Sequence, residues 1–415
     1  MAVLSVNAGS SSLKFALYPF DSKQLGEPLL IGQFERLEGW DPTKGQAPMN
    51  KRVSSLKYIG KDAVKVSREI TLSLGVDPFD QAIEILKSLI EESLGRGDNS
   101  TRTLTAIAHR VVHGGNLYKS SVVVTPEVLL QLATLNSLAP LHQPHNIAGI
   151  KSFTQSFAGT PQVACFDTSF HTTLGPLETT FAIDKNLSNT GVRRYGFHGL
   201  SYQYISQRLA ELSASASSRA ILAHLGNGAS LCATLQSKSV ATTMGFSALD
   251  GLMMGTRSGA LDPGVLLYLM DQGWSARDIE ATLYKKSGLL GVSGKSADVR
   301  TLRADQTEDA VFALSLFTHR VVKEMGGLIA VLGGVDLICF SGGIGEHDCV
   351  LRREVCERFA WLGVATDEQL NLAATKDQAS LISSQKSAVQ VWVVPTDEGR
   401  IAAQEAIGLI KKSAK

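Results

Sequence analysis

Two arginines stand in unusual company: Arg110 inside the apolar run IAHRVVHGG, and Arg257 inside GLMMGTRSGALDPG. An arginine among apolar residues either pairs with an acid or captures a carboxylate or phosphate through its fork of donors. Two of them in glycine-rich surroundings favour anion capture. His198, in RRYGFHGLS, and His142, in LAPLHQPHN, are candidates for the same site. Asp167, which ends an apolar run, and Glu398, in VVPTDEGR, have the chemistry to orient an arginine or to hold Mg²⁺. The position of Asp167 at a strand end favours a place in the site, because ligands gather at the carboxyl ends of strands.

Three glycine-rich turns supply the short donors that a phosphate needs. The chain opens MAVLSVNAGSSSLKF, where Val3 to Asn7 reads as a strand, Ala8 to Ser12 as a small-residue turn, and Leu13, Phe15 and Leu17 as an alternating second strand. Lys14 supplies charge beside this turn, unless the alternation simply turns it to solvent. Near the middle, ILAHLGNGASLCATLQ repeats the form when Ser230-Leu231 is laid on Ser12-Leu13. Two strand–turn–strand copies predict a duplicated domain with a cleft between the halves. The third element, CFSGGIGEHD at 339–348, follows a buried strand and precedes a helical stretch from Val350 to Leu362, as a nucleotide contact would. No GxxxxGK[ST] loop occurs.

The elements that must position these groups alternate. A helical spacing runs from Asp80 to Ser93, a buried strand from Thr105 to Val112 and a short one from Gln162 to Phe166. Met325 to Phe340 reads as a helix end, a turn and a buried strand, Val335 to Phe340, rather than a membrane span. Residues 40–56 read as a surface loop. Strands alternating with helices predict an α/β fold. The 415 residues, 44% hydrophobic and 19% charged, suit two domains or one large one. A net charge of +1 gives no field for nucleic acid or an anionic membrane, so a bound anion must be held by local charge. The five cysteines form no CxxC pair, and no signal-peptide pattern opens the chain, so a cytoplasmic protein is expected.

Together these segments resemble the acetokinase (acetate kinase) family of the actin-like, sugar-kinase ATPase superfamily. VNAGSSSLKF, HRVVHGG, LAPLH, FDTSFH, RRYGFHG, HLGNGAS, GLMMGTRSG, GIGE and PTDE occur in family order. The resemblance implies an α/β chain of two duplicated ribonuclease-H-like domains, residues 1–166 with 399–415 and residues 167–398, with the active site in the cleft between them. It implies reversible transfer of the ATP γ-phosphoryl group to a short-chain carboxylate with Mg²⁺ or Mn²⁺, and a homodimer. Arg110, Arg257, His198 and Asp167 would be catalytic, with His142 close by, and Asn7 and Glu398 would serve the metal. Phosphates would meet Ser12, Lys14, His224, Gly226, Asn227 and Gly228. Asp298, Val299 and Arg300, with Gly342, Gly343, Ile344, Gly345 and Glu346, would hold the nucleoside end. Val112, Leu141, Phe197 and Ala248 match the pocket for the acyl tail. A carboxylic acid with a pKa of about 4–5 is already ionised, so no general base is needed. The obstacle is that one anion attacks another, which makes the step one of positioning and charge neutralisation.

The chain departs from the family pattern at Gln143, His145, Leu200, Tyr202, Ala241, Ala248, Ala260, His347 and Gly399. Ala248, usually proline, leaves room for one more methylene, a change worth about 1–3 kcal/mol of discrimination. Acetate is expected first and propionate second, by direct in-line transfer; His347 bears on nucleotide choice. The same superfamily includes filament and chaperone ATPases, and an impaired kinase is a further alternative. Retention of Arg110, Arg257, His198 and Asp167 speaks against a protein that only binds nucleotide.

Overall fold

Apolar alternation on both sides of a tight turn folds the N-terminus into a hairpin. β1 (Ala2–Ala8) pairs antiparallel with β2 (Ser12–Pro19), Asn7 opposite Lys14, and Gly9 N donates to Ser12 O at 2.8 Å across the turn. The structure, a computed structural model, describes residues 1–21, 24–37, 52–60, 64–73, 76–95, 102–374 and 378–413. The chain divides into two compact units, Met1–Ser169 with Asp397–Lys415, and Phe170–Thr396.

In the first unit β3 (Leu30–Glu35), β4 (Arg52–Ile59) and β5 (Lys65–Leu72) extend the hairpin antiparallel. On the other side β6 (Leu104–Val111) runs parallel to β1, β8 (Gln162–Phe166) runs parallel to β6, and β7 (Val122–Val123) closes the edge. The sheet order is β5-β4-β3-β2-β1-β6-β8-β7. The helix Pro78–Ser93 starts where the Asp77 side chain accepts from Phe79 N, with Pro78 in the first turn. Its apolar face, Ala82, Ile83, Leu86 and Ile90, packs on Leu4, Leu17 and Phe34 of the sheet. The helix Glu398–Ser413 lies against β1 and β6.

The second unit repeats the plan. β9 (Ala220–Leu225), β10 (Ala229–Leu235) and β11 (Lys238–Thr242) are antiparallel neighbours, while β12 (Leu337–Ser341) and β14 (Gln390–Val393) run parallel to β9 and β13 (Ser380–Leu381) caps the edge. Its order, β11-β10-β9-β12-β14-β13, matches β3-β2-β1-β6-β8-β7 strand for strand and direction for direction. The echo between the two hairpins is therefore an echo of whole sheets. The helix Gly199–Leu212 seats Tyr202, Ile205 and Leu209 on Leu222, Cys232, Cys339 and Trp392.

The expected surface loop is corrected in part. Residues 40–51 lie outside the described residues, but 52–56 begin β4. Ser54 is buried in β4 and its Oγ donates to Glu35 O at 2.7 Å. A serine at a buried strand position hides the two-residue period from a hydropathy reading. Met325 to Phe340 folds as expected: the helix Glu308–Leu332 ends, glycines 333 and 334 turn the chain, and β12 is wholly buried.

Candidate active site

The first unit gathers one guanidinium and two carboxylates. Arg110 is the penultimate residue of β6, and Asp167 follows the last residue of β8; the register Arg110↔Cys165 and the bond from Asp167 N to Val111 O at 3.0 Å bring them side by side. Arg110 Nε donates to Asp167 Oδ1 at 3.0 Å and Nη2 to Oδ2 at 2.6 Å, a two-pronged fork. Glu398, first residue of the C-terminal helix, adds Oε2 at 3.4 Å from Arg110 Nε. Two carboxylates against one guanidinium leave one net negative charge. Burial, reinforced by Glu398, pushes the Asp167 carboxyl up to about 6 against the pull of Arg110. The same two carboxylates hold Arg110 firmly protonated, against the cost of its own burial.

This donor set fits a magnesium ion. Mg²⁺ is usually held by one or two carboxylates together with substrate phosphates rather than by an all-protein cage, and among the described residues no group of three or more His, Cys, Asp or Glu gathers as a metal set. Asp167 and Glu398 would hold the ion. The register Val6↔His109 brings Asn7, half-buried at the end of β1, to the level of Arg110.

Around this cluster the backbone is clamped from the helix Gln143–Ser156. Gln143 accepts from His113 N at 3.3 Å and donates to His113 O at 3.1 Å. Asn146 accepts from Val112 N at 3.0 Å and donates to Ala8 O at 2.9 Å. The departure at Gln143 thus has a use: it grips the residue after Val112. His142 precedes that helix without capping it, Leu141 is half-buried, and His145 points outward. Lys14 is exposed on β2, and Ser12 faces a polar groove shared with Glu35, Arg36 and Lys57.

The second unit builds a different cluster around the turn between β9 and β10. Gly226 N donates to Gly228 O at 3.0 Å, leaving Asn227 exposed at the tip, its Oδ1 over Gly255. A Cβ on Gly228 would stand 3.3 Å from His198 Nε2 and 3.8 Å from Arg257 Nη1. A Cβ on Gly226 would stand 3.9 Å from both His224 Nε2 and Gly343 N. The two glycines therefore let two imidazoles, a guanidinium and a backbone amide come close to the turn, where side chains would crowd them. The rings of His198 and His224 lie 4.3 Å apart. His198 Nδ1 is 2.8 Å from Ser230 Oγ, and His224 Nδ1 is 2.8 Å from Ser201 Oγ. His198 adopts φ +59°, a left-handed conformation that a non-glycine residue holds only when its surroundings enforce it. His171 enforces it in part: its Nε2 donates to Phe197 O at 2.8 Å, while Ser239 Oγ faces Nδ1. Arg257 Nη1 donates to Ala248 O at 2.9 Å.

The remaining expected contacts have local duties. The residues Gly342–His347 form a short helix rather than a turn. Gly342 needs its φ of +75°, and a Cβ there would meet Leu225 O at 2.8 Å. The Glu346 carboxylate, expected beside the nucleotide, is spent on Gly342 N at 2.9 Å and Thr396 N at 3.1 Å, and burial raises its pKa. Ile344 is half-buried and Gly345 O accepts from the fully buried Arg352. Asp298 caps the helix Val299–Ala304 and pairs with Arg300 at 2.6 Å; Val299 is buried and Arg300 exposed. Sequence reasoning missed Ser201, Ser230 and His171 as holders of the histidines. Ser201 and Tyr202 lie three and four residues after His198, a helical spacing that marks one face.

The model of the acetokinase family matches residues 2–404. The acetate kinase of Rhodopseudomonas palustris is 46% identical over 405 residues, covering 97% of this chain and 96% of that protein. That of Methylocella silvestris is 43% identical over 419 residues, covering 99% and 98%. Among solved structures, Porphyromonas gingivalis acetate kinase superimposes with a TM-score of 0.84 at 35% identity over 99% of each chain. A propionate kinase from Francisella tularensis gives 0.84 at 33% over 97% of this chain and 98% of its own. With a match over nearly the whole of its length, this chain belongs to the acetokinase family.

Proposed function

We propose that this chain transfers the γ-phosphoryl group of ATP to acetate, reversibly, giving acetyl phosphate and ADP, with propionate as a second substrate. The observation that carries the reading is the convergence of His198 Nε2 and Arg257 Nη1 beside Gly228, two groups suited to an anion. Acetate arrives ionised, so no residue need take its proton. Arg110, held in place by Asp167 and Glu398, offers the rest of its guanidinium donors to the incoming carboxylate. His198 and Arg257 neutralise the phosphoryl group in flight, and the β9–β10 turn with His224 and Asn227 meets the remaining phosphates. Mg²⁺, when bound at Asp167 and Glu398 with Asn7, supplies further neutralisation of phosphate oxygens. The family resemblance assigns the acyl tail to Val112 and Leu141 in the first unit and to Phe197 and Ala248 in the second. Ala248 anchors Arg257 through its carbonyl oxygen, which a proline would also offer. Replacement of the ring therefore changes pocket volume and leaves the anchor.

The test is trapping of acyl phosphate as hydroxamate, with Mg²⁺-ATP and acetate, propionate or butyrate. Acetate at least equal to propionate is expected, with butyrate behind both. No hydroxamate from folded, ATP-binding protein would replace this reading with a nucleotide-binding one. The protein is further proposed to act as a cytoplasmic homodimer. Among the described residues no helix is long and apolar enough to cross a membrane.

A further inference from the structure

We propose that Tyr202, acting through Ser230, is a positioning residue that holds His198 as a neutral imidazole with its proton on Nε2. Tyr202 and Ser230 are both fully buried. The Tyr202 phenol bonds Ser230 Oγ, and the same Oγ lies 2.8 Å from His198 Nδ1. Burial keeps the phenol protonated far above its ordinary range, so Tyr202 always carries a proton to donate. Ser230 Oγ is the side-chain acceptor beside the phenol among the described residues, and the phenol oxygen itself already accepts from the His224 backbone. Once Ser230 accepts from Tyr202, its own proton points to His198 Nδ1. Nδ1 is then an acceptor, and a neutral ring must carry its proton on Nε2. Nε2 is the atom that faces Gly228 beside Arg257.

The consequence rests on the kinase reading of His198. A ring with its proton on Nε2 donates to a phosphoryl oxygen and has no lone pair there to attack phosphorus. The phosphoryl group then passes directly from ATP to the acid. Tyr202 is also a position where this chain leaves the family pattern, so the relay belongs to this chain's own residues.

The test is a long-range ¹H–¹⁵N correlation spectrum of the full chain carrying ¹⁵N-histidine. The His198 signals are identified by their loss in His198→Asn. A neutral Nε2–H pattern is expected for His198 in the wild type, and a mixture of tautomers in Tyr202→Phe. In that variant kcat falls about tenfold while KM for acetate and ATP stays within about threefold. Tyr202→Phe combined with Ser230→Ala costs no more than Ser230→Ala alone, because the two hydroxyls act in series. An Nδ1–H pattern in the wild type, or losses that multiply in the double variant, would overturn the proposal. The wild-type spectrum needs neither a variant fold nor turnover. A chain that makes no acyl phosphate therefore removes the kinase reading while the tautomer is still decided.

Discussion

At the residue scale the controlling fact is the imbalance around Arg110, one cation between two carboxylates at a site where Asp167 is almost wholly buried. Removing one partner of a buried pair leaves uncompensated charge and typically costs about 3–5 kcal/mol. Arg110→Met is therefore expected to destabilise the fold by about that amount at pH 8, and to abolish acyl phosphate formation. The sign of its pH dependence follows from Asp167. Its folded pKa is already raised, to about 6, above the unfolded carboxylate value, and loss of the guanidinium raises it further. The folded state then binds more protons than the unfolded one, so stability falls as pH rises through the folded pKa and recovers as pH drops toward 5. Urea unfolding at pH 5 and pH 8 checks this. A penalty for Arg110→Met that is larger at pH 5 would show that Asp167 and Glu398 do not carry the imbalance.

At the scale of elements, glycine positions separate binding from folding. Gly228 has an ordinary backbone, and a methyl group there points between His198 Nε2 and Arg257 Nη1. Gly228→Ala should fold normally and lose most of its turnover, with a raised KM for ATP. Gly342, at φ +75° with Leu225 O only 2.8 Å from a new Cβ, should do the reverse in kind: Gly342→Ala loses about 1–3 kcal/mol of stability from strain alone. Thermal unfolding of the two variants beside their kinetics distinguishes these outcomes; a strongly destabilised Gly228→Ala would mean the turn is structural. The contrast also marks what was legible in the sequence. Strand period and turn chemistry are local, so β1, β8, the helix Pro78–Ser93 and the repeated hairpin could be read directly. The alliances among distant segments could not. Glu346 reaching Thr396 N, or Tyr202 reaching Ser230, joins residues 50 and 28 positions apart, and only the strand order brings them together. Residues 40–51 lie outside the described residues, and serines in β4 mask its period.

At the scale of the molecule, the fold doubles one plan and gives the copies different work. In the first unit the parallel strand ends carry Arg110 and Asp167; in the second the hairpin turn and the start of the helix Gly199–Leu212 bring His224 and His198 together. For the proposed homodimer, a candidate surface lies on the second unit. The helix Pro263–Asp271 buries none of its residues within the chain, yet presents Leu267 at 64%, Tyr268 at 62% and Met270 at 52% exposure, with Trp274 beyond its end at 41%. A helix so apolar on its open side needs a cover, and a second copy is the occupant the family resemblance implies. Two charges placed there should break a self-complementary contact twice over, because each residue of a twofold interface is used by both copies. Leu267→Glu with Tyr268→Glu is thus expected to shift the chain from dimer to monomer in sedimentation velocity, without loss of helical signal in circular dichroism. A variant that sediments as a dimer would place the interface elsewhere. A wild type that sediments as a monomer at micromolar concentration would remove the dimer and leave this helix in need of another partner.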